Sequence, residues 1–311
     1  MPKILWRNVD CYCFSFSNFT FWIDRDPNIT QNELDQWFYN SAGNGTSGAV
    51  DQQDYVDAYR TNNNITSAVS FKLIDFPAEN LSLVAVRGTT NAWDALTDAQ
   101  LWSPAGLFQV LRLLLPLGEI WTPILDSMVK IVSWLESAAI DRVAFYKETT
   151  SFVNYLKNEG VNPHVQITGH SLGGGLAIIT GAQTGIAAVA LSGPNAKISR
   201  DTFSPPLTLE ALDTLVFNII PDRDIVPRFD DVARLFQKIR CIAPINDFAG
   251  CHDGRRSLCE ILHTCGTGIR PALCDCTTEF GYPEPTPKAG VTKTFKEECA
   301  ALIESSSYIA G

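Results

Sequence analysis

The sequence predicts an α/β fold, a mainly parallel sheet flanked by helices, on three observations. Between residues 52 and 220, short β-rich apolar runs alternate with segments of helical period, as in βαβ units whose helices cover a sheet on both faces. One joint, "VQITGHSLGGGLAIIT" at 165–180, passes from strand to helix with no loop between them. The 311 residues, 45% of them hydrophobic, suffice for a full core, and α/β enzymes of this length often form one unit with elaborations despite a prior of ~100–200 residues per domain. The chain is therefore read as a single domain over residues 1–311.

Taken in order, residues 14–76 alternate short apolar stretches with turn clusters such as "DPNIT" and "NSAGNGTSG". Within them "QQDYVDAYRTN" (52–62) reads as a helix lying over the sheet. "SAVSFKLIDF" and "LSLVAVRG" read as two strands joined by the turn "PAEN". Then come a helix at 141–159, a strand at 164–168, a helix at 173–184 and strands at 187–192 and 214–220. "RRSLCEILH" reads as a late helix, and "GYPEPTPKAG" as a loop.

Residues 101–135 are the most apolar part of the chain. They do not span a membrane, because Arg112, Pro116, Glu119, Pro123 and Asp126 interrupt the ~18 apolar residues a span requires. They are either core or a cover that meets lipid. The 34 acidic residues outnumber the 24 basic ones, for a net charge of -10, which argues against nucleic acid or strongly anionic surfaces as partners.

Seven of the nine cysteines fall at Cys241, Cys251, Cys259, Cys265, Cys274, Cys276 and Cys299, with Cys11 and Cys13 far upstream. Such crowding reads as disulfide stapling of a Cys-rich C-terminal elaboration, 241–311, in an oxidising compartment. Cys251, His252, Cys259, His263 and Cys265 mix zinc-ligand types, but their spacing fits no usual zinc knuckle, so no metal is expected. Sequons at Asn18, Asn28, Asn44, Asn64 and Asn80 point to a secreted or secretory-pathway glycoprotein. The opening "MPKILWRNVDCYCFSFSNFTFWI" makes a poor signal peptide, so the chain is read as a fragment or as lacking its first exon.

The chemistry centres on Gly169-His170-Ser171-Leu172-Gly173. The bare G-x-S-x-G pattern arises by chance in roughly one chain of this length in ten. Its placement between a buried strand and a glycine-rich helix start is far more specific, since a sharp strand-to-helix turn exposes the serine hydroxyl at the carboxyl end of the sheet. A serine needs a histidine to take its proton and an acid to orient that histidine. Of the four histidines, His164 begins the strand and His170 sits inside the turn, which leaves His252 or His263. His252 is favoured because it precedes a helix, whereas His263 closes one, where histidines cap carbonyls. The acid should leave a strand at the serine's end of the sheet, as in "DTLVFNIIPDRDIVPRF". Asp224 is preferred to Asp222 because Ile-Val-Pro follows it and can anchor the loop. Oxyanion donors, worth ~3–4 kcal/mol each in comparable sites, are sought in Thr89 after Arg87-Gly88 and in the N–H of Leu172.

Together "VAVRGTT", "QITGHSLGGGLA" and "DRDIVPRF", in that order, resemble the class 3, fungal-type lipases of the α/β-hydrolase superfamily over roughly residues 65–265. The resemblance implies ester hydrolysis at a lipid interface, with Ser171 as nucleophile, Asp224 as acid and Thr89 with Leu172 about the oxyanion. It also implies a lid between the R-G-T strand and the elbow strand, where residues 101–135 lie. In better-known members the base lies near the chain end and an aromatic residue often follows; here Asp253-Gly254-Arg255-Arg256 follow His252. "CHDGRRSLCEILHTCG" also looks like a cysteine-containing protist and fungal branch, in which the histidine after cysteine is the base. The expected function is therefore a cofactor-free triacylglycerol or acylglycerol lipase of unspecified oligomeric state. A phospholipase, galactolipase or feruloyl-type esterase is the enzymatic alternative, and an inactive lipid-binding hydrolase fold the non-enzymatic one.

Overall fold

The computed structural model describes residues 48–65, 69–88, 145–159, 162–245, 247, 250–265, 273–284, 294–297 and 299–301. The predicted cover at 101–135 and Thr89 lie outside these residues.

Within them, seven strands form one sheet in simple sequence order: β1 (Val50–Asp51), β2 (Phe71–Phe76), β3 (Leu81–Val86), β4 (His164–His170), β5 (Ala187–Leu191), β6 (Val216–Pro221) and β7 (Phe236–Ile239). β1, β2 and β3 pair antiparallel, and β3 through β7 pair parallel. This is the mainly parallel α/β sheet the sequence predicts.

The order decides where the helices go. Right-handed crossovers that always step to the next strand in one direction leave their helices on the same face. Accordingly, helices α1 (Gln53–Asn62), α2 (Phe145–Glu159), α3 (Leu172–Thr184) and α4 (Leu209–Leu215) share one core. It joins Tyr59, Phe152, Leu176 and Leu212 with Phe71, Val84, Ile167 and Ala190 of the strands. Phe152 lies between Tyr59 and Phe71, with ring centroids 4.9 and 4.8 Å away, and such pairs are worth ~0.5–1.5 kcal/mol each beyond burial. α3 is buried on nearly every side, which is why its sequence is apolar all round rather than striped.

The opposite face carries Val189, Leu191, Phe217 and Ile219, and on them rests Ile261 of α5 (Gly254–Cys265). The far side of α5, through Leu258, Cys259 and Leu262, packs with Cys276 of α6 (Leu273–Phe280), Tyr282, Phe295 and Cys299. The cysteine-rich tail is thus a small second layer built on α5. Disulfides Cys259–Cys276 and Cys274–Cys299 lie within it, and Cys241–Cys251 lies at its entrance. Cys251 and Cys259, weighed above as zinc ligands, have their sulfurs in these bonds.

Besides β1 and α6, which the sequence reading does not name, two elements differ from expectation. Where a strand is predicted from residue 214, α4 runs to Leu215 and passes directly into β6. Thr208 caps that helix, its hydroxyl accepting from Ala211 N at 3.1 Å, and Leu-Glu-Ala-Leu are good helix formers. β7 has no counterpart in the sequence reading: its four residues are mostly exposed at the sheet edge, so burial imposes no pattern on them.

Candidate active site

The site begins at the end of β4. Ser171 has φ 56° and ψ -129°, a region that costs a non-glycine residue ~1–3 kcal/mol. The turn closes so tightly that a Cβ on Gly169 would overlap the carbonyl of Gly173, and one on Gly173 would overlap Val86 of β3. Both positions therefore require glycine. The turn is held from the neighbouring strand, Ser171 N donating to Leu191 O at 3.1 Å. Leu172 opens α3, so its N–H belongs to the first helical turn, which no intrahelical carbonyl reaches. The helix dipole adds partial positive charge there.

Asp224 lies three residues beyond β6, in the loop before a short 3-10 turn at Val226–Arg228. Its Oδ1 accepts Val226 N–H at 3.0 Å, which ties the carboxylate to Ile-Val-Pro. The loop is fixed further by Asn195, which donates to Pro227 O while its Oδ1 accepts from Asn218 Nδ2 at 3.0 Å.

His252 follows Cys251 and stands just ahead of α5. Its Nδ1 lies 3.0 and 3.1 Å from the two Asp224 oxygens, and its Nε2 lies 2.8 Å from Ser171 Oγ. With a carboxylate at Nδ1, that nitrogen carries the proton and Nε2 is left to accept the serine's. All three side chains are buried, where each hydrogen bond is electrostatically stronger than in water.

With this geometry in hand, residues 83–232 match the family model described as "Lipase (class 3)". Over this stretch the chain is similar to the class 3 lipases. No curated protein matches it at a significant level. The lipase match runs from β3 through the elbow and the Asp224 loop and stops short of His252 and the cysteine-rich tail.

Of the residues named from sequence, Ser171, Asp224 and His252 come together here, and Leu172 adjoins them. His263 does not: it lies in the last turn of α5, its ring edge-on to Tyr282 at 5.5 Å. Asp222 is exposed, and its N–H donates to Ile239 O at 2.8 Å.

Two neighbours escape sequence reasoning. His170, set aside above, stacks on His252 with centroids 5.0 Å apart, and its Nε2–H donates to the backbone carbonyl of His252 at 3.0 Å. Arg223 grips the loop that precedes His252. Neither role has a local signal, since each depends on chain far away in sequence.

Proposed function

We propose that the protein is a secreted lipase that hydrolyses acylglycerols at a lipid interface through Ser171, His252 and Asp224, with residues 1–311 forming one domain and 101–135 its lid. The observation that carries this reading is the continuous chain of short contacts, 2.8 Å from Ser171 Oγ to His252 Nε2 and 3.0 Å from His252 Nδ1 to Asp224.

Ser171 Oγ attacks the ester carbonyl carbon while its proton passes to His252 Nε2. Asp224 holds the imidazole in that tautomer and stabilises the imidazolium that forms. The carbonyl electrons move onto oxygen, which the N–H of Leu172 and the N–H and hydroxyl of Thr89 receive. Collapse breaks the bond to the alcohol, which leaves with the proton from His252. Water, deprotonated by His252, then attacks the acyl-enzyme and releases a carboxylic acid from Ser171. Every step is proton and acyl transfer by this chain's own groups.

The apolar bulk of residues 101–135 favours long acyl chains over soluble esters. Three disulfides, together with the five sequons, support an oxidising, secretory setting. Among the described residues no helix is long and apolar enough to cross a membrane.

Short- and long-chain p-nitrophenyl esters and a triolein emulsion, given to the wild type and to Ser171→Ala, test the reading. Activity that rises once substrate forms an interface and vanishes in the variant is the expected result. Activity on soluble short esters alone would make it an esterase. A folded wild type that neither turns over nor reacts with a fluorophosphonate would make it a lipid-binding protein.

A further inference from the structure

The imidazole of His252 is carried by a loop outside the sheet, yet general-base chemistry demands that it stay within ~0.5 Å of its productive position. Besides the bond from His170 to the His252 carbonyl, one further side chain outside the reacting cluster ties that loop down.

Arg223 stands between Asp222 and Asp224 with a left-handed φ of 67°. Its guanidinium gathers three carbonyls of the segment after β7. Nη2 donates to Cys241 O at 3.1 Å and Ala243 O at 2.6 Å, and Nη1 to Pro244 O at 3.1 Å. Cys241, one of the residues so gripped, is bonded to Cys251, whose Cα is 5.6 Å away and whose next neighbour is His252. The contacts close a ring: Asp224, Arg223, Cys241, the disulfide to Cys251, His252, and back to Asp224 through Nδ1.

We infer that Arg223 is a positioning residue: acting through Cys241–Cys251, it sets the His252 imidazole against Asp224 and Ser171. The inference rests on His252 being the general base. A lysine cannot replace it, because one ammonium cannot reach three divergent carbonyls as the planar fork does. The two links act in series, so loss of either releases the same loop.

The test compares wild type with Arg223→Met, Arg223→Lys, the Cys241→Ser/Cys251→Ser pair, and the pair combined with Arg223→Met. On a soluble short-chain ester, kcat should fall about 10–100-fold in each, the scale of a ~1 Å misplacement, with KM within about twofold of wild type. The combined variant should lose no more than its worse parent, as residues acting as one unit do. Proton NMR supplies a readout independent of turnover: the far-downfield His252 Nδ1–H resonance should broaden or vanish in all the variants while thermal unfolding remains cooperative. Full kcat and an intact resonance in Arg223→Met would overturn the inference. Rescue by Arg223→Lys would also overturn it, in favour of a charge effect. If Arg223→Met fails to fold, the cysteine pair decides alone, by the same two readouts. A wild type that hydrolyses nothing, yet shows the resonance and loses it in the variants, would sink the lipase reading and leave the positioning role standing.

Discussion

At Ser171 the backbone holds a conformation that costs stability, with φ at 56°, and the neighbouring contacts hold it there. Ser171→Ala should leave the turn intact, because φ belongs to the backbone, and remove hydrolysis by about 10⁶-fold, close to the loss of the whole cluster. Asp224→Asn should cost about 10⁴-fold in kcat, since an amide no longer selects the tautomer with Nδ1 protonated. Steady-state kinetics on a soluble ester reads both. A second buried carboxylate offers a pH test. Asp230 accepts N–H groups from Ile198, Ser199 and Asp231 and the Ser199 hydroxyl, yet desolvation pushes its pKa above the ordinary value despite those bonds. Its contribution is therefore full below the unfolded pKa of about 3.9 and is lost as pH rises through the higher folded value. Urea midpoints of wild type minus Asp230→Asn should fall across that window and level off above it. A flat difference would refute the assignment.

At the scale of elements, the elbow is a close approach of β4, α3 and β3 that glycine alone permits. Gly173→Ala must push α3 off Val86, and such overpacking costs about 1–3 kcal/mol or more, measurable as a lower urea midpoint with reduced ester turnover. Much of this region is legible in sequence. The glycines flanking Ser171 are required by short-range sterics, and β4, α3 and β5 are buried enough for their composition to declare them. α4 and β7 are harder to read, the first because a helix passes into a strand with no breaker between them, the second because an exposed edge strand carries no hydrophobic alternation. The candidate site divides the same way. Ser171, Asp224 and His252 can each be named from local context, whereas His170 and Arg223 gain their contacts only through residues 82 and about 20 positions away. Disulfide pairing, left open by spacing, follows tertiary packing, as where Cys259 of α5 meets Cys276 of α6.

Across the whole molecule, two layers share α5. The sheet side is held by a large core, while the tail has a small one of Leu258, Leu262, Tyr282 and Phe295 around its cysteines. Burial and the Glu260 carboxylate both raise the pKa of the Tyr282 phenol, which donates to Glu260 at 2.9 Å, so this contact persists through neutral pH. Closing loops of 17 and 25 residues stabilises by about 3 kcal/mol each in the chain-entropy model. Replacing both pairs by serine should therefore melt the tail before the sheet, visible as a two-step thermal transition; one unchanged cooperative transition would show that the tail needs no staples.

The sequential order of the strands also bears on the protein's birth. A sheet that grows only at one edge can be laid down in the order in which it is translated, and the proposed triad enters in that order too: nucleophile, then acid, then base. His252 follows Ser171 by 81 residues, about 4–16 s of synthesis at 5–20 residues per second. During that interval the nascent chain has Ser171 but not yet His252. If the proposed triad holds, a chain abandoned by the ribosome before its third act is harmless to the membranes around it.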